Sequence, residues 1–211
     1  MSEGKTTIAY EYIKQKIIRW ELLPMSDISE EKIQSELGLS RTPVREAILR
    51  LEKEGFLYVY PRKGTIVAEV SRDLTEEIYQ MRLLTEPFIT ESASHTISQS
   101  WLMDMRRRLC EPPADVSEKR LREYFMELDW ELHSTILENC GNRFLRNEMQ
   151  NVYDHNQRIR LKASNPGAGY DHSVQEHIRI IDAMLAGDSE RIIAESKKHI
   201  EESKKITDGV L

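Results

Sequence analysis

The stretch "LGLSRTPVREAILRLEKEG", Leu37 to Gly55, decides the reading of the fold. Its apolar residues Val44, Ala47, Ile48 and Leu51 recur at helical spacing and form one stripe, while Arg41, Arg45 and Arg50 lie off it. Thr42 and Pro43 suit an N-cap and a first helical position, and Gly55 suits a stop. Immediately upstream, Gly38 permits a tight turn after a short helix in "EEKIQSELG". Ser29 suits that helix's N-cap, with Glu30 and Glu31 in the favourable first turn. Further upstream, Ile8, Tyr12, Ile13 and Ile17 keep helical spacing within "TTIAYEYIKQKIIRWEL", and Pro24 marks a break. Downstream, "FLYVYPRKGTIVAEV" is rich in β-branched and aromatic residues around "PRKG" and reads as a two-stranded hairpin. Three helices followed by a hairpin within residues 1–70 is the layout of a winged helix-turn-helix.

Such a unit reads DNA mainly from the first turns of its second motif helix. Ser40, Arg41, Thr42 and Arg45 cluster there, with Arg50 further along the polar face. Arginine is the best donor to guanine, and hydroxyls at a helix N-terminus suit phosphate. Lys63 and Gly64, at the hairpin tip, are placed to touch the adjacent backbone or minor groove. From Ser40 to Lys63 there are six basic residues against three acidic ones. The competing reading is a solvated helix whose arginines pair with Glu46, Glu52 and Glu54. Charge alone favours that reading, but charge together with the layout favours DNA.

From Ser71 onward no strand is evident. Amphipathic stretches run over 73–97, 98–110, 117–140, 142–163, 171–187 and 189–207, broken at "EPPADVS", "CGN", "SNPGAG" and "AGDS". Pro87, inside the first stretch, is expected to end or kink it. The sequence thus predicts a mainly α protein. A DNA-binding domain spans 1–70, and an antiparallel all-α bundle spans 71–211.

Lysine plus arginine balance aspartate plus glutamate at 11 each in residues 1–70, and the whole net charge of -6 arises in 71–211. Cys110 and Cys140 belong to no paired motif, which fits a reducing compartment. No segment approaches the ~20 apolar residues of a membrane span. A cytoplasmic protein with no membrane partner is the expectation.

Within "MELDWELHSTIL", Met126 to Leu137, Asp129 and His133 share the apolar face of Phe125, Leu128, Leu132, Ile136 and Leu137, one turn apart. His177 falls on the stripe of Val174, Ile178, Ile181 and Leu185, and His199 on that of Ile192, Ser196, Ile200 and Ser203. An inward carboxylate and three inward imidazoles are costly unless satisfied. Facing one cavity, they supply a nitrogen and oxygen shell suited to zinc, nickel, iron or manganese. A lone inward histidine is more often a hydrogen-bonded core residue, and spacing alone leaves both readings open. His155, beside Asp154, is a weaker candidate to line the same cavity.

"LSRTPVREAILRLEKEGFL" with "PRKGTIVAEV" resembles the winged-helix signature of the GntR family of bacterial transcriptional regulators. "ELLPMSDIS" stands where that family commonly has a Gly-rich turn. "LTEEIYQMRLLTEPFITESAS", "ELDWELHSTILENCGN" and "EHIRIIDAMLAGDSERIIAESKKHI" resemble the FCD ligand-binding domain of the FadR subfamily, over 73–211. The resemblance implies that Asp129, His133, His177 and His199 bind a divalent metal, zinc first among the candidates, which helps hold a small carboxylate effector. The full ligand set argues against a fatty-acyl-CoA effector. Arg82 matches the arginine of the first sensor helix, and Arg158 and Arg160 are further effector-binding candidates.

The resulting expectation is a non-enzymatic regulator, a repressor, acting as a homodimer on two-fold operator DNA under control of that effector. The alternatives are a metalloenzyme, against which no further general base is evident, and a structural metal-binding bundle.

Overall fold

A computed structural model describes residues 2–163 and 171–209. Its elements are α1 (Ser2–Ile18), β1 (Asp27–Ile28), α2 (Glu30–Leu37), α3 (Arg41–Lys53), β2 (Leu57–Tyr60), β3 (Gly64–Val67), α4 (Arg72–Ser94), α5 (Gln99–Cys110), α6 (Glu118–Glu138), α7 (Arg143–Ala163), α8 (Asp171–Ala186) and α9 (Ser189–Asp208). The chain divides into two compact units. The first is Met1–Thr75 with Asp154–Lys162, and the second is Glu76–Tyr153 with Ala163–Leu211.

The first unit is the winged helix-turn-helix. Ser29 caps α2, its side chain accepting from the Lys32 N–H. Gly38 ends α2 at φ +63°, a left-handed conformation that costs glycine little. The N-cap of α3 is Ser40 and its first residue Arg41, two positions earlier than Thr42 and Pro43 suggest. Pro43 therefore sits within the first turn, where its missing N–H has no intrahelical acceptor to lose. Val44, Ala47, Ile48 and Leu51 of α3 pack with Ala9, Ile13 and Ile17 of α1 and with Phe56, Leu57 and Val67.

The wing differs from a simple hairpin. β3 pairs antiparallel with β2, in register Tyr60 with Gly64 and Leu57 with Val67. It also pairs with β1 on its other side, giving the order β1-β3-β2. The third strand is two residues from "ELLPMSDIS", too short to register as an alternating pattern. Met25 and Ser26 extend the tie, through Met25 N–H to the Val67 carbonyl and Val67 N–H to the Ser26 carbonyl.

The unit also takes in the end of α7. Lys14 is buried in α1 and pairs with Asp154. It also lies 3.2 Å from Glu54 and donates to the Tyr10 hydroxyl at 2.6 Å. His155 stacks on Phe56, ring centroids 4.0 Å apart and 6° from parallel. Its Nε2 meets the Glu54 carbonyl at 2.8 Å, supplying a donor to the C-terminal end of α3.

The second unit is all helical among its described residues. Tyr79, Ile89, Leu102, Met105, Leu128, Leu132, Met149, Ile181, Ile192 and Ile200 are buried in it. Gly187, at φ +65°, turns the chain between α8 and α9, and Asp188 caps α9 by accepting from the Arg191 N–H. Pro87 does not end α4, which runs on to Ser94. The Thr90 hydroxyl donates to the Glu86 carbonyl one turn on, and burial of Arg82, Glu86, Ile89 and Ala93 keeps the helix packed through the proline. No described helix is long and apolar enough to cross a membrane.

Candidate functional site

α6, α8 and α9 each deliver a histidine to one place. Ligand nitrogens of His133, His177 and His199 all lie within 4.8 Å of one another. The rings of His177 and His199 are 4.6 Å apart, those of His133 and His177 5.3 Å, and those of His133 and His199 5.4 Å. Asp129, one turn before His133, places Oδ1 3.6 Å from His177 Nε2. The structure therefore brings together all four residues that the helical faces single out.

The electrostatics of the cluster follow from burial. His133 Nε2 is shielded from solvent and has no hydrogen-bond partner. Its pKa is pushed well below the usual imidazole range, first by desolvation, and Asp129 opposes the shift only in part. Neighbouring His177, His199 and Arg82 push it further down. The imidazole of His133 is thus held neutral, with a nitrogen lacking any acceptor or donor. Three imidazoles and a carboxylate converging on one point, one ring nitrogen uncompensated, fit a divalent cation. His199 is held from behind, its Nδ1 2.8 Å from Oε2 of buried Glu176.

Arg82 is 1% exposed and forked onto Glu86 of its own helix, Nε to Oε1 at 2.5 Å and Nη2 to Oε2 at 3.2 Å. Burial opposes its charge, but the Glu86 carboxylate outweighs that and raises its pKa. Tyr153 packs edge-on to His133, ring centroids 6.0 Å apart, and burial pushes its phenol pKa up.

Arg158 and Arg160 fall in the part of α7 that belongs to the first unit. Arg158 is fully buried there and donates to the Ala68 carbonyl, while its own carbonyl accepts from Trp20 Nε1. Desolvation lowers its pKa to about 10. His155 likewise belongs to the first unit. The sequence registers α7 as one amphipathic helix and holds no sign that its two ends pack into different units.

On the first unit, Ser40, Arg41, Thr42 and Arg45 are exposed around the start of α3, and Lys63 and Gly64 are exposed at the wing tip. The Ser40 side chain makes no capping bond. Arg41 is 3.6 Å from Glu30, with its side chain largely exposed. Arg50 is differently placed. It bonds Glu54 at 3.0 Å and lies 3.7 Å over the Tyr10 ring, as the solvated-helix reading expects for an arginine of α3. Glu46 and Glu52 are engaged by the Thr6 hydroxyl and the Val59 N–H.

Sequence reasoning missed Glu176, Glu86 and Tyr153. Glu176 had a signal: Ile180 and Ala183, four and seven residues on, are apolar and buried, so α8 is buried on that side too.

Comparison with known proteins follows this geometry. Residues 5–67 match the family model of bacterial regulatory proteins of the gntR family, and residues 77–202 match that of the FCD domain. The sequence is 21% identical over 193 residues to the HTH-type transcriptional repressor RspR of Escherichia coli, covering 92% of this chain and 84% of that one. It is 25% identical over 199 residues to the HTH-type transcriptional repressor GlaR of Escherichia coli, covering 90% of each. Among solved structures, E. coli McbR/YncC shares the fold at a TM-score of 0.79 with 20% identity, covering 97% of both chains.

Proposed function

From the premise that the chain belongs to the GntR family of transcription regulators and carries an FCD domain, we propose that it is a repressor whose operator affinity is set by a small carboxylate at a divalent-metal site. The observation that carries this reading is the convergence of Asp129, His133, His177 and His199 around a shielded, unpartnered His133 Nε2. A divalent ion held by these four residues, zinc before nickel, iron or manganese, would supply open coordination positions for an anionic ligand. Arg82 is the cation nearest in role. It is already forked onto Glu86, so an effector carboxylate exchanges with Glu86 or sits beside the pair.

On the first unit, Ser40, Arg41, Thr42 and Arg45 are the residues proposed to meet base edges and phosphates, with Lys63 and Gly64 on the neighbouring backbone. Arg50 is left a lesser part, since using it breaks its bond to Glu54. We read the protein as a cytoplasmic homodimer. In support, Met81, Leu84 and Phe88 form an exposed stripe at helical spacing on α4, Leu84 at 78% exposure, and a symmetric reader requires two copies. The relatives named as repressors support the sign of regulation by analogy alone.

The test is a mobility-shift titration of operator DNA with metal-loaded and chelated protein across a panel of small carboxylates. Release of DNA by a carboxylate only in the metal-loaded protein supports the reading. Carboxylate-independent binding in both forms removes effector control.

A further inference from the structure

We infer that Glu176 is a positioning residue for the metal centre, holding His199 in the tautomer and orientation that present Nε2 to the ion. The inference rests on the metal reading above and adds to it a residue outside the four ligands.

Glu176 and His199 are both buried, on α8 and α9, and meet at 2.8 Å through Oε2 and Nδ1. An ionised carboxylate only accepts hydrogen bonds, so this contact requires the proton to sit on Nδ1. A neutral imidazole with its proton on Nδ1 has its lone pair on Nε2. Nδ1 is thereby committed, leaving Nε2 as the nitrogen available for coordination. Glu176 precedes His177 in the chain, so one turn of α8 supplies both a ligand and the group that aligns another ligand from α9. A carboxylate behind a ligating imidazole also raises the ring's basicity. Both side chains of the Glu176–His199 pair are almost fully shielded from solvent.

A purely structural role, tying α8 to α9, predicts something different. A second tie joins the same helices, Arg179 Nε to Glu195 Oε2 at 3.1 Å, and it involves none of the four ligands. Glu195→Gln is therefore a control that loosens the helix pair and leaves the imidazoles alone.

The experiment compares the full-length wild type with Glu176→Gln, Glu176→Ala and Glu195→Gln. Zinc affinity is read by competition with a chromophoric chelator, and the visible spectrum of the cobalt-loaded proteins reports the ligand field. Glu176→Ala is expected to weaken zinc binding about 10–100-fold. Glu176→Gln is expected to weaken it less, because its amide oxygen still accepts from Nδ1 while the charge is gone. Both should shift the cobalt spectrum, and Glu195→Gln should match wild type in both readouts. If Glu176→Ala fails to fold, Glu176→Gln decides, since it changes charge and hardly changes shape. Wild-type affinity and spectrum in Glu176→Gln and in any folded Glu176→Ala overturn the inference, as does an equal loss in Glu195→Gln. A wild type that takes up no zinc or cobalt overturns the metal reading and this inference together. A wild type that binds normally beside unaffected Glu176 variants overturns this inference alone.

Discussion

His155 shows how much one side chain's surroundings decide. It is stacked on Phe56 and bonded to the Glu54 carbonyl, and burial lowers its pKa to about 4. Above pH ~6.5 the imidazole is neutral in both folded and unfolded chains. Below that, the unfolded chain takes up a proton that the folded one refuses until about pH 4. Stability is therefore lost as pH falls through that window, by roughly 2 kcal/mol at pH 5 and about 3 kcal/mol by pH 4, levelling off below that. Urea unfolding of wild type and His155→Gln at pH 7 and pH 5 measures it. The wild type should lose about 2 kcal/mol more than the variant on acidification, and parallel losses would remove the group from the account. At this scale the sequence discloses side-chain type and face but not the partner. Asp129, His133, His177 and His199 were legible because each interrupts an apolar stripe. Arg158 shows what stays hidden: a charge on α7 reads the same in the sequence whatever it meets, and only the structure shows that it donates to the Ala68 carbonyl.

At the scale of elements, α3 is the helix we propose to read DNA, and its arginines divide into two groups. Arg41→Ala and Arg45→Ala should each weaken operator binding by about 1–3 kcal/mol where a base contact is lost, or lower the salt slope where a phosphate contact is lost. Both side chains are exposed, so melting should hardly change. Arg50→Ala should instead lower stability, because it strips the bond to Glu54 and the cation over Tyr10, and should affect operator affinity less. Mobility-shift and melting measurements on the three variants separate these outcomes, and equal operator loss in all three would contradict the division. Helices were the legible elements: the stretches 117–140 and 142–163 correspond to α6 and α7 within a few residues, because periodicity and breakers such as "CGN" coincide. β1 was not legible, since two residues carry no period. Of the two outcomes expected at Pro87, an end or a kink, the end does not occur, because tertiary packing around Arg82, Glu86 and Ile89 holds α4 together past the missing hydrogen bond.

At the scale of the molecule, the exposed Met81, Leu84 and Phe88 stripe calls for a partner surface, and a second copy is the occupant we propose. Leu84→Glu with Phe88→Glu should convert a dimer to a monomer in sedimentation velocity at micromolar concentration; an unchanged dimer would move the interface elsewhere, and a monomeric wild type would end the two-fold model. The central claim is that the histidine cluster is a metal site, and metal uptake joined to melting tests it most directly. Full-length protein at neutral pH should bind about one divalent ion per chain, and at 100 times the dissociation constant that ion should add about 2.7 kcal/mol, or roughly 5–10 °C in melting temperature. His133→Ala and His177→Ala should abolish most of that increment. Wild-type protein that takes up no divalent ion and melts identically with and without chelator would show instead that Asp129 and the three histidines form a hydrogen-bonded core.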